Sequence, residues 1–187
     1  MKRLLHARFV IPIALVALIF AGTGLYLFQP WRIFTNVEVN EALPIVSSSA
    51  PAPTLASPDP TTPPELPETS TPIVLAEGEF ISHEYATAGS ARILELPDGS
   101  RVLRIEGLDT SDGPDLKVWL TDQPVIDGAA GWGVFDDGLY VSLGELKGNR
   151  GNQNYPIPSD VDLSDYSSVS IWCERFAVSF GAAELNA

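Results

Sequence analysis

One sulfur atom dominates the chemistry open to this chain. Cys173 is the only cysteine among 187 residues, and it stands in the run Trp172-Cys173-Glu174-Arg175-Phe176 near the C-terminus. A lone thiol builds neither an internal disulfide framework nor a CxxC metal site. It can work as a thiolate if it is exposed and a nearby cation or helix N-terminus lowers its pKa. It can equally be a small core residue, because free cysteine is among the most buried residue types. An unpaired cysteine outside a membrane would face an oxidising compartment, which makes it worth following. Only two histidines accompany it, His6 and His83. That is too few for a histidine-rich zinc constellation, and no metal ligand set is assigned.

Other clusters point to loops rather than catalysis. Asp109, Asp112 and Asp115 around Gly113 offer oxygen ligands, but their spacing is not that of an EF-hand loop. Turn polarity explains them more simply. The acidic groups Asp136-Asp137-Gly138 and Asp160, Asp162, Asp165 are weaker cases of the same kind. No GxSxG nucleophile elbow occurs, and His83 has no implied triad partner. Gly148-Asn149-Arg150-Gly151 reads as a turn, without the strand-to-helix context of a phosphate loop. Trp119, Trp132 and Trp172 offer an apolar surface or a sugar-stacking platform, with core filling expected of at least one.

The elements that must position Cys173 are β-strands. Glu79–Thr87, Ser90–Leu96, Arg101–Leu108, Asp115–Thr121, Leu139–Leu143 and Ser167–Phe180 are short runs separated by Gly-, Pro- and Asp-rich turns. That spacing predicts an all-β head, an antiparallel sandwich or barrel. Alternation places Leu116, Val118 and Leu120 inward with Lys117 and Trp119 outward, and Leu103 and Ile105 inward against Arg104 and Glu106. Val169, Ile171 and Cys173 share one face of the last run. Phe176, Val178 and Phe180 fall on the opposite parity. One extra residue at Glu174 or Arg175, a β-bulge, restores the register and leaves Cys173 pointing inward beside a kink. His83, in the alternating run Phe80 to Tyr85, is expected at the surface or a turn edge.

The head follows a different N-terminal half. Phe9–Phe28 carries no charge, and 20 helical residues span about 30 Å, the thickness of a bilayer core. Lys2, Arg3 and Arg8 precede it and Arg32 follows, so residues 1–8 are expected in the cytoplasm and the C-terminal part outside. A cleaved signal peptide is the competing reading, but Ala21-Gly22-Thr23 lies inside the apolar run rather than after it. Residues 29–46 form a juxtamembrane segment in which Phe34, Val37, Val39 and Leu43 hint at a short extended or amphipathic piece. Residues 47–72 are rich in Pro, Ser and Thr, the composition of an extended linker that would hold the head off the membrane. The head, residues 73–187, carries 7 Lys+Arg against 19 Asp+Glu from Glu77 onward, a net −12 of the chain's −13. That charge excludes nucleic acid as a partner and disfavours anionic lipid.

Four segments of the head, in order, resemble the DM-thirteen electron-transfer domain family over Gly78 to Leu185. They are GEFISHEYATAGSARIL, LPDGSRVLRIEGLDTSDGPDLKVWL, LGELKGNRGNQNYPIP and YSSVSIWCERFAVSFGAAEL. The most specific pieces are Gly113-Pro114-Asp115-Leu116, Leu146-Lys147-Gly148 with Tyr155-x-Ile157-Pro158, and Trp172-Cys173-x-x-Phe176. The resemblance implies a β-rich extracytoplasmic domain whose cysteine, here Cys173, is a redox centre, either as a naked thiol or as the ligand of a prosthetic group such as haem. In the haem version, the one partner ligand in the head is His83. Animal members carry neighbouring electron-transfer modules, and this chain has none, so its redox partner would be another polypeptide. The alternative is a cell-surface binding module in which Cys173 only packs. The expected partners are thus the bilayer, through residues 9–28, and an unidentified redox or surface protein.

Overall fold

A computed structural model describes residues 2–29, 31–32, 35–44 and 71–187, with the backbone alone for 2–10. It contains one long helix, α1 (Lys2–Phe28), and nine strands. The strands are β1 (Glu38–Asn40), β2 (Ile73–Ser82), β3 (Ala88–Glu95), β4 (Arg101–Asp109), β5 (Leu116–Thr121), β6 (Tyr140–Glu145), β7 (Arg150–Ile157), β8 (Ser168–Cys173) and β9 (Val178–Glu184). Within α1, the 18 residues Ile11–Phe28 are apolar and long enough to cross a membrane, and none of them is buried by the rest of the protein. The linker expected over 47–72 lies outside the described residues except for 71–72.

The strands form one curled sheet, a half-barrel in the order β1-β7-β4-β3-β2-β9-β8-β5-β6. Every pairing is antiparallel except β1 with β7. β2 turns the corner, pairing with β3 along Ile73–Glu79 and with β9 along Phe80–Ser82. The curl encloses the main core, in which Leu103, Ile105, Val118, Leu120, Val169 and Ile171 are fully buried. By register, the turns at 83–87, 110–115, 146–149 and 174–177 gather at one end of the sheet with the start of β1. The turn at 96–100 and the segment 158–167 lie at the other.

Several expectations need correcting. Ser167–Phe180 is not one bulged strand: β8 and β9 form a hairpin across the four-residue turn Glu174–Ala177, where Ala177 takes a φ of 49°. A register shift does occur, but in β9, where Phe180 is the extra residue between the pairs Ile171↔Gly181 and Trp172↔Ser179. Arg150–Ile157, read in part as a turn, is a central strand. Trp119 does face away from the main core, yet it is only 3% exposed. Residues 122–139 fold back over that face and bring Phe135 against it, making a second buried cluster of Trp119, Phe135, Trp172 and Ala182.

Part of the juxtamembrane segment, residues 38–42, packs on the head. β1 closes the edge of the sheet, pairing Glu38, Val39 and Asn40 with Arg150, Gly151 and Asn152. The Glu41 carboxylate accepts from Lys147 Nζ at 2.7 Å and from the Asn154 backbone N–H at 2.7 Å, while its carbonyl accepts from Arg104 at 2.8 Å. Arg104 points outward as alternation requires, and its burial comes from this covering segment. The Lys147 hydrogen bond is the main influence holding Glu41 below its ordinary value of 4.5; partial burial opposes it and the Asn154 N–H assists. A carboxyl with a depressed folded pKa stabilises above the unfolded value and loses that contribution as the pH falls through the folded one. The protection of β1 amides, their exchange compared with the intrinsic rate at each pH, should therefore fall as acid takes the pH below the ordinary carboxylate range. Glu41→Gln should lose this acid dependence and exchange faster at neutral pH.

Candidate functional site

β8 carries Cys173 inward, where Val169 and Ile171 also point, and the sulfur-bearing residue is 0% exposed. Cys173 pairs with Leu116 of β5 and with Val178 of β9, so neighbouring strands wall it on both sides. The Glu174 N–H donates to the Asp115 carbonyl at 3.1 Å, and the Phe176 N–H to the Cys173 carbonyl at 3.3 Å. The first bond ties the hairpin turn to the Gly113–Leu116 turn, and the second closes the hairpin turn itself.

Two influences act on the thiol in opposite directions. Burial, the larger, pushes the Cys173 pKa above its ordinary value of 9.0, and the charge of Asp115 adds to the rise. Backbone N–H groups of Phe176, Arg175 and Asp115 face the sulfur and pull the other way by favouring the thiolate. Arg175, the cation nearest in sequence, directs its guanidinium elsewhere, to the Leu27 carbonyl. The Tyr85 ring packs against Phe180, tilted by 39° at 4.3 Å, and its phenol pKa is raised by burial first, then by Glu84 and Cys173.

His83 lies elsewhere. It is buried, 6% exposed, rather than at the surface. Its Nδ1 shares a hydrogen bond with Ser179 Oγ at 2.8 Å, and Ser170 Oγ donates to the same hydroxyl at 3.1 Å. Its ring stacks at 5.7 Å on Phe135. Ser170 and Trp172 alternate with Cys173 along β8, so His83 belongs to the outer cluster and Cys173 to the inner core. Burial lowers the His83 pKa, against the Ile126 carbonyl and the Asp127 charge that face it. Its Nε2 is buried without a partner, as are Trp119 Nε1 and Trp132 Nε1. The alternation Phe80 to Tyr85 missed this burial because the covering segment 122–139 is distant in sequence.

The most specific sequence pieces do converge. Gly113–Leu116 and Leu146–Gly148 line a cleft of about 250 Å³ beside the Cys173 hairpin, closed by Arg32 and Val37. The carboxylates there are engaged: Asp112 accepts from Thr35 Oγ at 2.7 Å and faces Arg32 at 3.6 Å, and Asp115 faces Lys117 at 3.3 Å. Haem does not fit these residues. The cleft is smaller than ordinary cofactor pockets, which run from about 300 Å³, and neither Cys173 nor His83 lines it. The sheet separates the two side chains, so they do not reach one iron. What the arrangement offers is a buried sulfur with N–H donors, screened from solvent.

Among known protein families, the model described as Electron transfer DM13 matches residues 79–185, more than half of the chain. No curated protein and no solved structure matches.

Proposed function

The chain belongs to the DM13 electron-transfer family, and we propose that it is a membrane-anchored electron-transfer module with Cys173 as its working group. α1 is the anchor, with the N-terminus in the cytoplasm and the β head outside, the orientation favoured by Lys2, Arg3 and Arg8. The single observation that carries the reading is the family match over residues 79–185, which includes Cys173. The one thiol of the chain lies within that match, held at 0% exposure where the Gly113–Leu116 and Glu174–Ala177 turns meet. Three N–H groups face its sulfur.

Burial also sets the mode of action. Thiol–disulfide exchange needs in-line contact between sulfur atoms and a usable fraction of thiolate. A fully covered thiol with a raised pKa supplies neither, so Cys173 does not work through a mixed disulfide while the head is folded. The redox partner is a separate molecule.

The test is thiol reactivity in the full-length protein. At neutral pH an aromatic disulfide reagent should leave the native thiol unmodified and titrate one thiol per chain after unfolding. Reaction at the rate of an exposed cysteine would contradict the buried-sulfur mode. The raised pKa makes a linked prediction: stability contributed by the neutral thiol is present below about pH 9 and declines as the pH rises through the folded value. Cys173→Ala should remove that part of the alkaline decline.

The complete burial of Cys173 also favours a second reading, a surface interaction module in which the sulfur only packs. Under it, Cys173→Ala costs stability as a core truncation and changes nothing else.

A further inference from the structure

We propose that the β8–β9 turn, carrying Arg175 and Phe176, is a bilayer-contact surface seated in the lipid interface, and that the β1–β7 pairing is the latch that holds the head there. The inference rests on the reading of α1 as a membrane span.

Depth is the first argument. Phe28 ends both α1 and its apolar stretch, so its ring marks the boundary between hydrocarbon and headgroups. Phe176 stacks on that ring, with centroids 5.8 Å apart and planes at 17°. Arg175 donates to the Leu27 carbonyl, one of the helix-end acceptors that have no partner within the helix. A turn that touches residues 27 and 28 lies at the depth of the last helical turn. Its chemistry suits that depth. Phe176 is an apolar ring left 45% exposed, and an arginine can lay its stem along apolar surface while its guanidinium stays among the headgroups.

Reach is the second. Nine residues, 29–37, separate α1 from β1, and they span at most about 30 Å when fully extended. They are also drawn in, since Arg32 donates to the Gly113 carbonyl at 2.8 Å and Val37 N–H to Asn149 Oδ1 at 2.7 Å. The Pro-rich segment therefore does not set the height of the head. That segment lies between β1 and β2 in the chain, so it does not separate the head from α1 while β1 is docked.

The sequence is built for that docking. An added Cβ at Gly148 would lie 2.4 Å from the Val37 carbonyl oxygen, and one at Gly151 only 2.2 Å from that of Val39. Both glycines leave the space that β1 occupies.

The test uses full-length protein in phosphatidylcholine nanodiscs containing a lipid with a nitroxide at the headgroup. Phe176→Cys is labelled with an environment-sensitive fluorophore. Asp98→Cys, in the turn at the opposite end of the sheet, is the control. Wild type, whose single thiol is buried, is the labelling blank. The proposal expects a blue-shifted probe at 176, quenched several-fold more than at 98. Adding Gly151→Val should reduce quenching at 176 toward the level at 98 while the β circular dichroism persists. Equal quenching at 176 and 98 in protein that resists alkaline extraction overturns the contact surface alone. Unchanged quenching with Gly151→Val overturns the latch. Protein extracted by alkali overturns the membrane-span reading and this inference with it.

Discussion

Truncation of Trp172 to alanine is expected to lower stability by about 3–5 kcal/mol, the range for a large buried aromatic. Trp172 is 1% exposed and holds the outer cluster together, with its ring 5.2 Å from Trp119 and 6.2 Å from Phe135. Those residues fix the returning segment 122–139 to the sheet, so the loss includes that segment's packing as well as the indole's own area. Against a total of about 5–15 kcal/mol for an ordinary domain, this takes a large share. Cys173→Ser at the next position keeps the volume and adds a hydroxyl to an apolar setting, for which about 1–3 kcal/mol is expected. The N–H groups facing the sulfur offset part of it. Denaturant unfolding of the full-length protein compares the two. A Trp172→Ala cost below about 1 kcal/mol would mean that the outer layer is not packed as described.

The second large effect is local. Gly151→Val places a branched side chain where φ is +95° and where its Cβ would lie 2.2 Å from the Val39 carbonyl oxygen. The φ strain alone is about 1–2 kcal/mol for a residue with a Cβ, and the contact cannot be relieved while β1 lies where it does. β1 should detach, since the central strands have far more to lose. The Glu41 amide, which donates to the Asn152 carbonyl at 2.9 Å, should lose protection from hydrogen exchange by at least about tenfold. Amides of β8 and β9 should keep theirs. Uniform loss across the head would show that β1 is integral to the fold rather than separable from it.

Much of the inner face was legible because period-2 alternation is a local property. Val169, Ile171 and Cys173, or Leu116, Val118 and Leu120, needed only their own spacing to be placed in the core. The outer face was not legible in the same way. Arg104 and His83 are covered by segments remote in sequence, Glu41 and residues 122–139, and Trp119 by 122–139 folding back over the strand it follows. Nothing within a strand announces what crosses over it. β7 was half-hidden because Gly148 and Gly151 serve strand approach, while in sequence two glycines around Asn-Arg carry the signature of a turn. The hairpin at Glu174–Ala177 and a bulged strand produce the same parity change. Only the antiparallel pairing of β8 with β9 separates them. The site was legible as a residue, Cys173, and not as an environment, because the N–H groups facing its sulfur come from two turns about 60 residues apart in the chain.

Film voltammetry of the full-length protein purified from its own membranes, beside folded Cys173→Ser, tests the central claim most directly. A reversible wave in the wild type that disappears in Cys173→Ser, with the circular dichroism of the head unchanged, is the predicted result. A wave that survives the substitution, or none in the native protein, would contradict Cys173 as the working group of an electron carrier.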